Sequence, residues 1–429
     1  MFAECADSQK ILIVAPNASS RFGGEAFLPL KYFQIMRQRG LPVKLIAHAR
    51  NRADLKETLA PFLPDIFFIE DTIWHRMIWR AGSSFPQRIR QAIFGTLLDR
   101  VNMAFQARLI RRLISAGQVD LIHQPIPVSP LAPSAIYGFG VPVVIGPMNG
   151  GMVYPPGYED LESPAMRRFV HFARNGARLM NRLTPGKRKA AVLLVANART
   201  RAALPFPDHP QVIELVENGV DLATWMAPER SPRPAGAPFR LVFMGRLVDW
   251  KAVEITLAAL AIARSRGLSV TLDILGDGPE RARLEVRAAA PDLSDAVRFH
   301  GFLPQKDCVR HLAQSDALIL NSVWECGGAV VLEAMSMGLP IIASDWGGPA
   351  DYLDPSCGIL VPPAPRSDYA NRLTEAITRL AGDRELCNAL GAAGARKVRE
   401  QYDWEKKVDR ILEIYAVAEG QPGKCSGKL

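Results

Sequence analysis

Residues 239–251 read Phe-Arg-Leu-Val-Phe-Met-Gly-Arg-Leu-Val-Asp-Trp-Lys, and this stretch shows how the chain of 429 residues is built. A mostly apolar run ends at Gly245, and two cations, Arg246 and Lys251, follow the glycine. Such a run is typical of a buried parallel strand. Cations at a strand-to-helix turn suit an anion, because free backbone N–H groups there already favour negative charge. The alternative is that both cations are exposed loop residues.

The same alternation of short strands and helices extends outward from this stretch through both halves of the chain. The first half opens with the apolar run 10–15, a loop containing Gly23 and Gly24, and a helical pattern that ends at Gly40. The second half restarts after the proline-rich segment 227–238. This pattern predicts an α/β protein of two Rossmann-like, doubly wound parallel-sheet domains. Ligands bind beyond the carboxyl ends of such strands, so we expect the site in the cleft between the domains.

Composition excludes several other classes of protein. The chain has six scattered cysteines without a C-x-x-C pair, which argues against a zinc site or disulfide framework and favours a reducing cytosol. No stretch approaches the ~18 apolar residues that a membrane helix needs. The first ten residues lack the apolar core of a secretory signal. We therefore expect a cytoplasmic protein.

The net charge of +9 is concentrated in two segments, residues 74–112 and 167–201. The first segment also carries an apolar face with helical spacing, formed by Ile89, Ile93, Phe94, Leu97, Leu98 and Val101. Basic and apolar residues on one helix suit an anionic membrane surface. The alternative is a helix packed on a core with a solvated basic face.

The sharpest motif lies at residues 321–338, Asn-Ser-Val-Trp-Glu-Cys-Gly-Gly-Ala-Val-Val-Leu-Glu-Ala-Met-Ser-Met-Gly. Glu325 precedes Gly327 and Gly328, whose N–H groups at a helix start could face an anionic or hydroxylated ligand. Glu333 lies in an otherwise apolar helix, where a carboxylate is unfavourable unless a partner satisfies it. A sugar diol would suit it, and so would a buried arginine.

These motifs occur in order and together resemble glycosyltransferase family 4, most closely over residues 212–360. They are Asn218-Gly219-Val220-Asp221, Gly245-Arg246 with Lys251, Gly276-Asp277-Gly278-Pro279-Glu280, His300-Gly301-Phe302, and Glu325 with Glu333. The resemblance implies a GT-B fold and a retaining, nucleotide-sugar-dependent enzyme of the envelope or exopolysaccharide type. We accordingly expect an N-terminal acceptor-binding domain at 1–216, a linker at 217–238 and a C-terminal donor domain at 239–403. The closing helix, 404–418, resembles the family helix that crosses back to the first domain.

The resemblance also implies a role for each site residue. Arg246 and Lys251 would bind the donor diphosphate, and Glu333 the ribose hydroxyls. The donor sugar and a phosphate would be held by the segment Glu325, Cys326, Gly327 and Gly328, and the diphosphate would be covered by Gly23 and Gly24. Such enzymes need no metal or other cofactor, and the chain has no Asp-x-Asp triplet. Cations and helix N-termini would stabilise the departing diphosphate.

The chain departs from the family at three places. At one of them, Cys326 stands where members often carry a larger residue, which implies a sugar pocket of different shape. Ala252 follows Lys251 where many members have glycine, and we expect the first turn of a helix to tolerate it. Gly146-Pro147-Met148-Asn149-Gly150-Gly151 replaces a loop that often carries a histidine. Asn149 or backbone amides could substitute, and His123 is a second candidate for a catalytic contact, although a lone histidine is often structural.

The sequence thus predicts a retaining, hexosyltransferase-like enzyme. Its donor would be a nucleotide sugar, and its acceptor a glycan or a polyprenyl-diphosphate-linked oligosaccharide in polysaccharide biosynthesis. Peripheral contact with the inner face of the cytoplasmic membrane follows from the basic segments. The alternatives are a catalytically inactive or regulatory GT-B protein and a sugar-nucleotide epimerase. A nicotinamide oxidoreductase lacks its glycine fingerprint, and a nucleic-acid binder lacks a recognisable module.

Overall fold

A computed structural model describes residues 9–21, 24–82, 96–162, 176–226 and 236–420. These residues form two compact units. The first contains the described residues up to 151, those of 176–217 and those of 408–420. The second contains 152–162 and the described residues of 218–407.

The first unit is built on a parallel sheet of seven strands in the order β3-β2-β1-β4-β5-β6-β7. The strands are β1 (Ile11–Val14), β2 (Val43–His48), β3 (Ile66–Ile69), β4 (Leu121–Gln124), β5 (Val143–Met148), β6 (Val192–Val195) and β7 (Val212–Glu214). Its helices include α1 (Leu28–Gln38), α2 (Arg52–Thr58), α3 (Ile73–Gly82), α4 (Thr96–Ser115) and α5 (Ala198–Ala202). The apolar faces of this sheet form the core of the unit.

The second unit is built on a parallel sheet of six strands in the order β10-β9-β8-β11-β12-β13. The strands are β8 (Phe239–Met244), β9 (Val270–Leu275), β10 (Val297–Gly301), β11 (Ala317–Leu320), β12 (Ile341–Ser344) and β13 (Gly358–Val361). Its helices include α6 (Val253–Ser265), α7 (Arg281–Ala288), α8 (Gln305–Gln314), α9 (Ala329–Ser336), α10 (Gly348–Tyr352), α11 (Tyr369–Gly382) and α12 (Arg384–Gln401). The last helix, α13 (Trp404–Ala418), passes from the second unit into the first at Val408.

The six strands of the second sheet have the same order as the first six strands of the first sheet, and this order is that of the Rossmann fold. The central strands β1, β4 and β11 are buried along their whole length, and β8 is buried at Leu241, Val242 and Phe243, because helices cover both faces of a parallel sheet. The prediction of two Rossmann-like parallel-sheet domains is therefore confirmed. In each sheet the order reverses beside the first strand, between β1 and β4 and between β8 and β11. Ligands of such sheets bind at this switch point.

The basic segments are only partly described. The predicted face formed by Ile89, Ile93 and Phe94 lies outside the described residues, as do residues 163–175 of the second segment. Within the described part of the chain, no helix is long and apolar enough to cross a membrane.

Candidate active site

The switch point of the second sheet brings together two of the predicted site residues. Lys251 ends a short helical turn after β8, and Glu325 lies in the loop after β11, the neighbouring strand. The Lys251 ammonium group donates a hydrogen bond to the Glu325 carboxylate, and both side chains are mostly buried. The Val323 N–H donates to the Trp250 carbonyl at 2.9 Å, which ties the two loops together. The cation and the carboxylate thus form an ion pair where a ligand is expected.

The loop that carries Glu325 leads directly into α9. Gly328 precedes the helix with a φ of +75°, and a Cβ atom there would lie 3.1 Å from Cγ of Glu325. A second turn closes on the loop, since the Gly348 N–H donates to the Glu325 carbonyl at 2.7 Å. At Gly347, with a φ of +70°, a Cβ would approach that same oxygen to 2.5 Å. Only glycine fits this position, so the turn after β12 determines where Glu325 lies.

The sequence led us to expect Ala252 in the first turn of a helix, but it lies just before the helix. It precedes α6 with a φ of +51°, a left-handed conformation that is unfavourable for alanine. The buried Asn321 side chain holds it by donating to the Ala252 carbonyl at 2.8 Å. Asn321 is itself fixed by the Thr256 hydroxyl, which donates to its amide oxygen at 2.6 Å. The backbone after Lys251 is therefore kept in a strained conformation by a buried polar network.

The Gly276-Asp277-Gly278 motif braces this site. A Cβ on Gly276 would lie 1.9 Å from the Gly245 carbonyl oxygen, and one on Gly278 would lie 2.2 Å from the Leu247 carbonyl oxygen. The Leu247 N–H donates to the Asp277 carbonyl at 2.9 Å. The backbone after β9 thus packs directly on the backbone that carries the two cations, which supports a structural role for the motif.

Glu333 is a half-buried carboxylate on α9. Burial raises its pKa to about 7. Among the described residues, no hydrogen bond or ion pair satisfies its carboxylate, so the alternative of a buried arginine partner is not seen there. Burial, with a smaller contribution from the charge of Glu333, raises the pKa of the Cys308 thiol.

Arg246 is exposed, and its guanidinium makes no hydrogen bond or ion pair with the described part of the chain. Cys326 and Gly327 lie in the loop between Glu325 and α9, with the backbone of both packed against Gly348. An available cation and an ion pair therefore lie at the turns after β8 and β11, and an unsatisfied carboxylate lies on α9, the helix that follows the Glu325 loop. No hydrogen bond or ion pair among the described residues joins Glu333 to Lys251 or Glu325.

The remaining predicted site residues lie in the first unit. Gly24 is exposed and starts a short helical turn before α1, with a φ of +62°, whereas Gly23 lies outside the described residues. Asn149 follows β5 and is buried. Its amide nitrogen donates to Glu217 at 2.6 Å, and its amide oxygen accepts from the Thr200 hydroxyl at 3.3 Å.

His123 lies on β4 and is fully buried. Its Nε2–H donates to the Gly146 carbonyl at 2.7 Å, because a carbonyl can only accept. Its Nδ1 consequently accepts from the Tyr415 hydroxyl at 2.7 Å. Burial lowers the pKa of this imidazole to about 4, which keeps it neutral. Both ring nitrogens are engaged inside the first unit, so His123 offers no atom to a ligand in this conformation.

Two groups of side chains in the described residues are spaced closely enough to hold a cation, and neither contains a predicted site residue. They are His48 with Asp71 and His75, and Asp273 with His300 and His311. In the first group, His75 Nδ1 accepts from the Thr72 N–H at 3.1 Å. In the second group, His300 Nε2 lies 2.6 Å from the Asp273 carboxylate. Each group is thus already held by internal hydrogen bonds.

Sequence reasoning missed the segment 152–162, which we call the strap. The predicted boundaries assign it to the N-terminal domain, but it packs with the second unit. The Trp346 indole N–H donates to the Val153 carbonyl at 2.9 Å. The Tyr154 ring lies on Trp324, the residue before Glu325, with the ring centroids 4.5 Å apart. The tryptophans beside the two glycine turns were the available signal, because large aromatic rings at a loop usually require a packing partner.

Solved glycosyltransferase structures of the GT-B class cover nearly the whole chain, and the fold is GT-B as predicted. The crystal structure of Anabaena Alr3699/HepE in complex with UDP matches with a TM-score of 0.65 and 16% identity, over 95% of this chain and 100% of that one.

The sequence itself is similar to named glycosyltransferases over part of its length. Residues 229–397 match the family described as "Glycosyl transferases group 1". Glycogen synthase of Mycobacterium tuberculosis is 30% identical over 207 residues, 48% of this chain and 49% of the relative. The amylovoran biosynthesis glycosyltransferase AmsK of Erwinia amylovora is 28% identical over 184 residues, 41% of this chain and 44% of the relative. The chain thus spans about half the length of the curated relatives it matches, and the family match contains Lys251, Glu325 and Glu333.

Proposed function

We propose that this protein is a retaining, hexosyltransferase-like glycosyltransferase that moves a sugar from a nucleoside diphosphate sugar to an acceptor hydroxyl. The observation that carries the proposal is the Lys251–Glu325 ion pair at the switch point of the second sheet. It lies within the stretch that matches the glycosyl transferases. The UDP bound to a structural neighbour further supports a nucleotide donor.

The ion pair suggests how the donor is received. In the structure, the Glu325 carboxylate neutralises Lys251. A diphosphate would attract Lys251 as a point charge and Arg246 through forked hydrogen bonds. Glu325 would then be released to accept hydrogen bonds from the donor sugar. The N–H groups at the start of α9 would add positive potential toward the leaving phosphate. The Lys251 and Glu325 side chains thus satisfy each other's charge.

The reaction would keep the anomeric configuration by attack on the face from which the diphosphate leaves. The bond between the anomeric carbon and the phosphate oxygen breaks, and the acceptor oxygen bonds to that carbon. The proton of the acceptor hydroxyl passes to the leaving phosphate, so no side-chain base is needed. The cations would take the place of a metal, and we propose that transfer needs none.

Glu333 supplies the second point of donor recognition. Its carboxylate has no partner among the described residues, and hydroxyl groups are the donors that a carboxylate in an apolar setting requires. We assign it to the ribose of the nucleotide. Ribose binding would favour the ionised form of Glu333 and so offset part of the free energy that burial of its charge costs.

A panel of nucleotide sugars tests this proposal through thermal shift, hydrolysis and transfer. We expect one nucleoside diphosphate class to stabilise the protein. Arg246→Ala and Glu333→Ala should each weaken the binding of that nucleotide at least tenfold. Arg399→Ala, an exposed arginine on α12, is the matched control. EDTA should leave transfer unchanged. Unaltered donor binding in both site variants would refute the site, and donor binding without turnover would favour the catalytically inactive alternative.

We also propose that the acceptor is a membrane-linked glycan, a growing polysaccharide chain on a polyprenyl diphosphate, at the cytoplasmic face of the membrane. The relative named for amylovoran biosynthesis supports a polysaccharide product. On α3 of the first unit, Ile73, Trp74 and Met77 are 55–61% exposed. Elsewhere in that unit, Leu179 and Leu183 are exposed beside the exposed Arg178 and Arg182. Exposed apolar side chains among arginines suit an anionic lipid surface.

Co-sedimentation with vesicles of phosphatidylglycerol and phosphatidylcholine tests the membrane contact. We expect binding to fall when Leu179 and Leu183 are both changed to serine, and to fall with rising salt. Val286→Ser is the control, because Val286 is an equally exposed apolar residue of the second unit. Binding that is unchanged by the double substitution, or is equal on pure phosphatidylcholine, would refute this part of the proposal.

A further inference from the structure

The strap is fastened to the second unit at its far end. The Tyr158 hydroxyl donates to the Pro363 carbonyl at 3.3 Å. The Arg366 guanidinium donates to both carboxylate oxygens of Asp160, at 2.7 and 3.0 Å, and also lies over the Tyr158 ring. A segment with these contacts has a defined course over the second unit.

At its near end, the strap touches the turn after β12, which packs on the backbone of Glu325. Met152 covers Gly347, where a Cβ atom would come within 2.8 Å of the methionine Cε. Gly347 in turn packs against the Glu325 carbonyl oxygen. The Trp346 indole donates to the Val153 carbonyl. The strap therefore packs against the turn after β12, and that turn packs against the Glu325 loop.

Tyr154 reaches the Glu325 loop directly. Its ring packs on Trp324 at an interplanar angle of 40°. Burial, with smaller effects from the charges of Asp249 and Glu162, raises the pKa of Tyr154 to about 12. Asp249 lies in the turn that ends at Lys251. The Tyr154 hydroxyl makes no hydrogen bond with the described residues. The ring thus packs directly on the residue that precedes Glu325, the carboxylate of the Lys251–Glu325 ion pair.

From these contacts we propose that Tyr154 is a positioning residue for the donor sugar: its ring holds Trp324, and through it the loop that carries Glu325. The inference rests on the proposed function, in which Glu325 contacts the donor sugar. The loop between β11 and α9 has no regular structure, so its side chains need outside packing to be ordered before a ligand arrives. The strap provides this packing from a distant part of the sequence.

The role predicts an effect on the sugar and not on the nucleotide. Binding of UDP, ADP and GDP is compared with binding of UDP-glucose, ADP-glucose and GDP-mannose by calorimetry. For the pair that wild-type protein binds, Tyr154→Ala should weaken the nucleotide sugar about tenfold, or ~1.4 kcal/mol, and the nucleoside diphosphate less than about twofold. Tyr154→Phe keeps the ring and should behave as wild type. Val153→Ala is the matched control, since this neighbouring side chain is exposed.

Hydrogen exchange supplies a readout that needs no ligand. Tyr154→Ala should speed amide exchange in residues 323–328 several-fold, without a change in α6. Tyr154→Leu repeats the test with most of the apolar volume retained, should the alanine variant fold poorly. Unchanged exchange, equal losses for both ligands, or a Tyr154→Phe variant that behaves as alanine would overturn the inference. If wild-type protein binds none of the six nucleotides, the proposed function itself fails, a result distinct from wild-type binding that Tyr154→Ala leaves intact.

Discussion

Replacing Glu333 with glutamine should stabilise the protein above neutral pH and weaken its nucleotide binding. Burial raises the pKa of Glu333 from an ordinary 4.5 to about 7 in the folded protein. Between these values the unfolded chain is ionised and the folded chain keeps the proton. Folding therefore takes up a proton, and the stability of wild-type protein falls as pH rises through this window.

The size of the effect follows from the two pKa values. The interval between 4.5 and about 7, at ~1.36 kcal/mol per pH unit, corresponds to about 3 kcal/mol above pH 7. Glutamine has a similar shape and stays neutral, so Glu333→Gln avoids this loss. For a unit of this size, about 3 kcal/mol raises the melting temperature by roughly 6–12 °C.

Melting temperatures of both proteins without nucleotide, measured from pH 5 to pH 8, test this reasoning. We expect the two proteins to melt at similar temperatures at pH 5. Above pH 5, the melting temperature of the variant should exceed that of wild type by a margin that grows with pH. Glu400→Gln, an exposed glutamate on α12, should show no such trend. A difference between Glu333→Gln and wild type that stays constant with pH would refute the unfavourable burial of this carboxylate. At pH 8 the same variant should bind nucleotide at least tenfold more weakly than wild type.

Three further sets of substitutions test the scaffold of the site. Lys251→Met and Glu325→Gln each leave a mostly buried partner uncompensated, so each should lower the free energy of unfolding, measured by urea titration, by about 1–3 kcal/mol. The double variant should lose less than the sum of the two single losses, and strict additivity would contradict the pairing. Ala252→Gly should raise the free energy of unfolding by about 0.5–1 kcal/mol, because glycine relieves the strain at a φ of +51° at some entropic cost; a loss of stability would count against that conformation. Gly276→Ala should prevent stable folding, since its Cβ would meet a backbone oxygen at 1.9 Å, whereas Gly267→Ala, also at a positive φ but in open space, should cost about 1 kcal/mol; similar melting temperatures would show that the close backbone approach is not essential.

Much of the fold could be predicted because the relevant signals are local. Short apolar runs identified β1 and β8, and Lys251 and Glu325 were predicted from the cations and carboxylates that follow such runs. Strands that are neighbours in a parallel sheet end at the same edge, so residues 74 positions apart meet there. The strand order itself is decided by packing between distant segments, and the sequence pattern did not reveal it.

The rest of the site depends on contacts that no local pattern encodes. The environment of His123 is set by Tyr415, 292 residues later. Ala252 could be placed in a helix from its neighbours, but the polar network through Asn321 holds it just outside. The contacts of the strap are of the same kind, because the partner of Tyr154 comes from a loop after β11.

The course of the strap also determines how this protein can be recombined. The second unit is not one continuous stretch of sequence, since it includes 152–162 as well as 218–407. A chimaera that exchanges only 218–407 with another GT-B protein would join the strap of one parent to the loops of the other. Tyr154, Tyr158 and Asp160 would then face foreign partners for Trp324, Pro363 and Arg366. Exchange of function between such proteins therefore needs two exchanged segments, 152–162 and 218–407, so that the strap keeps its own packing partners.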